Sequence, residues 1–355
     1  MIRVAYTLEQ CWHEVPGGTA VATLRVLDEL VRRDDVDVVG VAGRHRRPPD
    51  PAFRPDADVR PLPIARPWLY EAWNRVGHPR VERATGRVDV CHSTIAIPAA
   101  TSAPHVVTVH DVAFVRTPER FTKHGARVMT AGLERCRAAD LVLCPTQATR
   151  DDLAELGFET QRIRVVPWGV EQVRVDDDDV AAVRRRHDLP ERFVLFVGTI
   201  EPRKNLPRLA DAVGRLDDPM PLVVAGADGW GDVRVAPGAD VRFLGFVPHG
   251  ELHALYSAAT VFAYPSLQEG FGMPILEAMS TGTPVVTSRG GATEEAAAGS
   301  AVLVDPHDVD AIAVGLADAV ARRNELAAAG RDRVETATWE RAAALTVDAY
   351  REVAS

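Results

Sequence analysis

Glu269 and Glu277 stand eight residues apart and enclose Gly270-Phe271-Gly272-Met273-Pro274-Ile275-Leu276. The run follows the apolar stretch Val261–Ala263 and the turn Pro265-Ser266. Pro274 suits the first position of a helix, because its φ is already helical and its missing N–H has no intrahelical partner there. Glu277 is then expected in the first turn of that helix and Glu269 on the loop before it. Both would lie at the carboxyl end of a strand, where open parallel sheets bind ligands. Gly270 and Gly272 let backbone N–H groups approach a ligand closely, and the helix start adds partial positive charge. Carboxylates so placed can accept hydrogen bonds from sugar or ribose hydroxyls. Plain helix capping is the competing role.

A second group, Gly198-Thr199-Ile200-Glu201-Pro202-Arg203-Lys204-Asn205, joins the apolar run Phe193–Val197 to a helical pattern. Two cations at such a junction offer charge-assisted hydrogen bonds to a diphosphate, with a helix N-terminus beneath. The chain has two lysines, Lys123 and Lys204, against 39 arginines. A lysine kept at this junction hints at a need for a compact ammonium. A surface pair at a helix start is the alternative. His110, followed by Asp111, ends the run Val106–Val109 and could deliver an imidazole to a substrate hydroxyl. Pro16-Gly17-Gly18-Thr19 opens the first helix; its glycines permit close approach to a phosphate or sugar, or simply make a turn.

These groups need elements to hold them. Short, continuously apolar runs recur at Ile2–Tyr6, Val36–Val41, Val106–Val109, Leu141–Cys144 and Ile163–Val166. They recur again at Phe193–Val197, Pro221–Ala225, Val241–Phe243, Val261–Ala263 and Pro284–Thr287. Strands apolar throughout are buried on both faces, the habit of a parallel sheet covered by helices. Helical patterns lie between them, at Thr19–Arg32, Lys123–Ala138, Thr149–Leu156, Leu206–Leu216 and Val309–Ala329. The alternation predicts an α/β protein with two doubly wound parallel-sheet domains. Residues 1–167 form the first, 168–190 a linker around the polar run Asp176–Asp179, and 191–338 the second. Residues 339–355 read as a final amphipathic helix expected to pack back toward the first domain.

At 355 residues the chain is long enough for two cores. The net charge of −9 argues against a dedicated nucleic-acid binder. Its sign is uneven: residues 1–167 hold 23 Lys+Arg against 21 Asp+Glu, whereas residues 168–355 hold 18 against 29. Residues 44–87 alone carry ten arginines and five acids, either a solvated surface or a face for an anionic acceptor or membrane. Cys11, Cys91, Cys136 and Cys144 form no C-x-x-C pair, so no zinc or disulfide pattern is legible and a reducing cytoplasm is expected. No run approaches the ~18 apolar residues of a membrane span.

Taken together, the groups resemble the retaining glycosyltransferases of family 4, which have the GT-B architecture of two Rossmann-like domains. The resemblance spans essentially the whole chain and is most specific at Glu269–Glu277 and at Arg203-Lys204 after Gly198. Cys144-Pro145-Thr146, Val166-Pro167-Trp168-Gly169-Val170 and Gly245-Phe246-Val247 add to it. Thr146 stands where serine is commoner, and Trp168 where a small or polar residue is. The resemblance implies that Arg203 and Lys204 hold the donor diphosphate as it leaves, Glu277 binds the ribose and Glu269 contacts the hexose. Backbone groups of Phe246 and Val247 would read the base, with Gly198, Gly270, Phe271 and Gly272 shaping the donor site. His110 would reach the sugar near its 6-position and Gly18 would lie close to the phosphate, across an interdomain cleft. It further implies a nucleotide-sugar donor, and a glycan, lipid-linked or small-molecule acceptor of the kind used in polysaccharide biosynthesis. The flavour of Thr108–Phe114 and Arg116-Thr117-Pro118 is mannosyltransferase-like, which favours GDP-mannose over UDP- or dTDP-sugars. No metal and no other cofactor is expected, because the two cations would do a divalent ion's work on the leaving group. The enzyme would be cytoplasmic, with possible peripheral contact at the inner membrane face.

Rival readings are weaker. Asp35-Val36-Asp37, Asp56-Ala57-Asp58 and Asp308-Val309-Asp310 offer the D-x-D of metal-dependent transferases, but none has a convincing site around it. Gly226-Ala227-Asp228-Gly229-Trp230-Gly231 has its glycines in the wrong order for a dinucleotide fold. His249 and His253 read as turn and helix residues rather than metal ligands. A sugar-nucleotide epimerase and a catalytically silent binding relative complete the alternatives.

Overall fold

The computed structural model describes residues 1–13, 17–227, 229, 233–235 and 240–354. Pro16 of the glycine turn, and Asp228, Trp230 and Gly231 of the glycine-rich run, lie outside the described residues. The chain divides into two compact units, Met1–Gly169 with Trp339–Ser355, and Val170–Thr338.

The first unit contains β1 (Ile2–Thr7), α1 (Gly17–Val31), β2 (Val36–Gly43), β3 (Val59–Leu62), α2 (Trp68–Val76), α3 (Glu82–Thr85), β4 (Val90–Ser93), β5 (His105–Thr108), α4 (Ala113–Arg116), α5 (Lys123–Cys136), β6 (Leu141–Cys144), α6 (Gln147–Glu155) and β7 (Ile163–Val165). The second contains α7 (Asp177–Arg186), β8 (Val194–Val197), α8 (Leu206–Val213), β9 (Leu222–Ala225), β10 (Val241–Gly245), α9 (His249–Ala258), β11 (Val261–Tyr264), α10 (Met273–Ser280), β12 (Val285–Ser288), α11 (Gly291–Ala297), β13 (Val302–Val304), α12 (Val309–Ala321) and α13 (Arg323–Glu335). The chain ends in α14 (Trp339–Val353).

Both sheets are parallel, with strand orders β3-β2-β1-β4-β5-β6-β7 and β10-β9-β8-β11-β12-β13. Every residue of β4, β6, β8, β9, β11 and β12 is buried, as expected of strands covered on both faces. In each unit the chain reverses its direction of travel across the sheet once, between β1 and β4 and between β8 and β11. Crevices at the carboxyl ends of strands form at those two points.

Three strands were not evident as apolar runs. β3 and β13 are short edge strands, and β3 carries Arg60 and Pro61, which an edge tolerates. β4 is central but ends in His92 and Ser93, whose burial rests on hydrogen bonds to Tyr350, Thr108 and His105. β10 departs from the apolar pattern in the other direction: it is an edge strand and leaves Phe243 exposed.

The interval 168–190, read above as a linker, carries α7, which packs against α9 inside the second unit. The aspartates are the reason. Asp176 caps the helix reciprocally with Asp179, and Asp177, Asp178 and Asp179 sit in its first turn, where acids favour the helix dipole. The single pattern Val309–Ala329 is instead two helices, broken at Arg322, whose backbone leaves the helical region. α14 buries Trp339, Ala342, Ala343, Thr346, Val347 and Tyr350, a helical stripe, against α1, β5 and β6. Arg351 adds an ion pair to Asp35 at 2.6 Å and Arg164 one to Glu352 at 2.5 Å.

Candidate active site

In the second unit the two signals of the sequence converge at the β8–β11 crevice. Gly198 follows β8 with φ of 147°, and its amide donates to the carbonyl of Ala225 at 2.9 Å. The strand ends are so close that a Cβ on Gly226 would lie 2.0 Å from the Gly198 carbonyl oxygen. Beyond them Pro202–Lys204 form one 3-10 turn, and Asn205 takes a left-handed conformation with φ of 64°. The Asn205 side-chain amide donates to the carbonyls of Pro265 (3.0 Å) and Pro306 (2.6 Å), which pins the turn to the loop after β11.

That pinning puts Arg203 and Lys204 onto Glu269. Lys204 is buried, 6% exposed, and its Nζ donates to Glu269 Oε1 at 2.8 Å and to the hydroxyl of Tyr264. Arg203 donates to Glu269 Oε2 at 2.5 Å and to the Gln268 carbonyl at 3.1 Å. Its other terminal nitrogen lies 2.6 Å from Glu201, a residue only 2% exposed. Burial pushes the Glu269 carboxyl up, but Lys204 and Arg203 outweigh it and hold the group at about 2. Burial lowers the Lys204 ammonium and raises the Glu201 carboxyl. The cluster thus contains two cations and two carboxylates.

The expectation for Glu277 is corrected in one respect. Gly272, with φ of 103°, caps α10, Met273 and Pro274 are its first two residues, and Glu277 falls in the second turn. There Glu277 Oε2 accepts a hydrogen bond from Tyr256 at 2.8 Å, and burial raises its carboxyl. Phe271 is buried in the core, whereas Gly270 is half-buried on the loop. At the end of β10 the Gly245 carbonyl accepts from the Gly226 amide at 2.8 Å. Phe246 then points outward, 75% exposed, and Val247 turns inward and is buried.

In the first unit His110 lies past the carboxyl end of β5 and is buried. Its Nε2 is 2.8 Å from the Thr94 carbonyl, which can only accept, so Nε2 carries the proton and Nδ1 is a bare acceptor. That Nδ1 is buried with no partner among the described residues. Burial pushes the imidazole down to about 4, so it is neutral near pH 7. The unusual Trp168 packs edge-on to His110, ring centres 5.3 Å apart. A small cavity of about 30 Å³ is bounded by His110, Trp168, His92, Thr94 and Thr108, room for a water or a hydroxyl group. Gly18 is the second residue of α1 and is exposed.

Five of the six D-x-D aspartates are engaged, and Asp56 lies exposed. Asp35 pairs with Arg33 and Arg351, Asp37 with Arg3, Asp58 with Arg60 and Asp310 with Arg215, while Asp308 caps α12. Among the described residues no group of three or more His, Cys, Asp or Glu is arranged to hold a metal ion. His249 opens α9 near Glu171, at 3.5 Å, and the four cysteines are buried thiols outside any disulfide. Thr146, the other unusual residue, caps α6 by accepting from the Thr149 amide at 3.1 Å. Sequence reasoning missed Tyr264, Tyr256 and Glu201 as partners. Their one signal was position, at a strand end, on the helix before β11 and next to the cationic pair.

Comparison with known proteins decides the class. Residues 179–333 match the model of glycosyl transferases group 1, and residues 16–174 that of glycosyltransferase family 4. The O-antigen chain mannosyltransferase B of Escherichia coli is 32% identical over 268 residues, which cover 69% of this chain and 70% of that one. The chain belongs to the group 1 glycosyltransferases of family 4. The alpha-maltose-1-phosphate synthase of Mycolicibacterium smegmatis, 28% identical, matches over the full length of both chains. Among solved structures, sucrose-phosphate synthase from Thermosynechococcus elongatus superposes with a TM-score of 0.73 at 20% identity, covering 99% of each chain. Anabaena HepE, solved with UDP and glucose, gives 0.70 at 19% identity, covering 100% of this chain and 98% of its own. These likenesses show the GT-B fold. In this glycosyltransferase the residues matched by the group 1 model include Arg203, Lys204, Glu269 and Glu277.

Proposed function

We propose that the enzyme transfers a hexose, mannose from GDP-mannose, with retention and without a metal, to a glycan, lipid-linked or small-molecule acceptor. The observation that carries this reading is the Arg203–Glu269–Lys204 cluster at the β8–β11 crevice. Glycosyl transfer develops positive charge on the sugar ring and negative charge on the departing diphosphate, so fixed cations at the leaving group are the largest lever. Arg203 and Lys204 supply them on a preorganised turn. The arriving diphosphate would take over these cations, releasing Glu269 toward the hexose hydroxyls. Glu277 would hold the ribose and the backbone of Phe246 and Val247 the base. Gly18, at the start of α1, would face the phosphate. His110 would accept a hydrogen bond from a sugar hydroxyl at Nδ1. Front-face attack, with the leaving phosphate taking the acceptor proton, would give retention.

The resemblance to the O-antigen mannosyltransferase supports mannose and a role in polysaccharide assembly. A UDP-sugar donor is the second reading, favoured by the UDP complex of HepE. We place the enzyme in the cytoplasm, in peripheral contact with the inner face of the membrane. The test is thermal stabilisation by GDP-, UDP-, dTDP- and ADP-sugars, with Lys204→Ala alongside, since bound ligand raises stability with occupancy. Selective stabilisation by GDP-mannose, lost in the variant, is the expected result. Stabilisation by a UDP-sugar alone moves the donor to the second reading. A folded protein that no nucleotide stabilises and that turns over no donor would reject both.

A further inference from the structure

Helix α2 carries large apolar side chains on two sides. Leu69, Tyr70 and Trp73 point into the core, and the Trp73 indole donates to the Pro79 carbonyl at 2.9 Å. Trp68 and Val76 face away from it, 71% and 67% exposed, with the exposed Arg75 beside them. Positions 68, 75 and 76 fall on one face of a helix. An exposed apolar cluster rimmed by charge is the usual mark of an interaction surface.

A cationic loop runs beside the start of this helix. Gly43, at the end of β2, lies against the backbone of Ile64 and Ala65, where a Cβ would come within 2.7 and 3.1 Å. The chain from Arg44 to Arg47 therefore leaves the sheet next to the segment that leads into α2. It is anchored there: Trp12 stacks on His45, ring centres 4.7 Å apart, and the Trp12 indole donates to the Arg47 carbonyl at 3.0 Å. Arg44, Arg46 and Arg47 are exposed, and among the described residues none has a carboxylate within ion-pair distance.

We propose that Trp68 and Val76 of α2, together with Arg44, Arg46 and Arg47, form a docking surface for an anionic lipid bilayer. Tryptophan favours the headgroup level of a membrane, where its ring is half solvated. Arginines without carboxylate partners attract the negative surface beside it, and no spanning helix is needed. A bilayer meets both features at once, its headgroups taking the arginines and its interface the indole and valine, whereas a purely polyanionic partner would leave the apolar pair in water. The inference rests on the peripheral contact proposed above and assigns it to one surface.

Co-sedimentation with vesicles tests it, using phosphatidylglycerol mixed with phosphatidylcholine and, separately, phosphatidylcholine alone. The wild type should sediment with the anionic vesicles only and be partly released by salt. Arg46→Gln with Arg47→Gln should lower partitioning by about 25-fold, since each arginine near the surface contributes about fivefold. Trp68→Ala should lower it severalfold, and Trp68→Phe less. All three positions are exposed, and stabilisation by donor nucleotide should be unchanged in each variant. Wild-type protein that binds no anionic vesicle overturns both the surface and the peripheral contact. Binding that survives in all variants overturns the surface alone. Equal affinity for heparin and for vesicles, insensitive to Trp68→Ala, would reject the lipid in favour of a soluble polyanion.

Discussion

The carboxylate of Glu269 accepts a hydrogen bond from the buried ammonium of Lys204 at 2.8 Å. The lysine charge is therefore compensated within the fold, and Arg203 is shared between Glu269 and Glu201. A buried charge left without its partner is costly, so this pairing holds both cations in one place.

Lys204→Ala should lower kcat by about 10²–10³-fold, on the order of 3–4 kcal/mol of transition-state stabilisation, as for other positioned charges. Thermal stability should fall as well, because Glu269 stays buried with Arg203 alone. Steady-state kinetics on folded variant protein checks this, and a loss below about tenfold would remove Lys204 from the leaving-group site.

Glu269→Gln keeps the shape of the side chain but withdraws one negative charge from the two cations. Nucleotide affinity should hold or rise, and sugar transfer should fall. Calorimetric titration beside a transfer assay separates the two; parallel losses in both would mean that Glu269 only holds the turn together.

Chelation offers a direct check on the cation-based mechanism. Transfer by the purified enzyme should be unchanged by EDTA and not raised by added Mg²⁺ or Mn²⁺. Abolition by EDTA, restored by metal, would defeat the metal-independent reading.

Acid should destabilise the protein early. Burial pushes His13, His105 and His110 down to about 4 and His92 to about 3. The unfolded chain binds protons on these groups below about pH 6.5, and the folded chain does not. Stability is therefore full above pH 6.5 and falls as pH drops toward 4. Denaturant midpoints between pH 7 and 4.5 should show this slope, shallower in His110→Gln. A flat profile would mean that the histidines are solvated.

Much of the fold was legible because parallel strands buried on both faces must be apolar along their length, as Phe193–Val197 and Leu141–Cys144 are. Glycine and proline marked the loops, so the crevice residues at Gly198–Lys204 and Glu269–Glu277 could be placed at strand ends. Edge strands and strands with hydrogen-bonded polar residues broke the rule, which hid β3, β13 and the central β4. The aspartates at 176–179 looked like a linker because a helix cap and a solvated run share one composition.

The sequence by itself determined which residue types stand at the ends of the strands, since local periodicity and turn chemistry act over a few residues. Which of them touch was decided by tertiary structure. Lys204 and Glu269 are 65 residues apart, and Tyr350 reaches His92 across 258. Such pairings depend on strand order and on where the last helix returns, and only the folded sheet sets both.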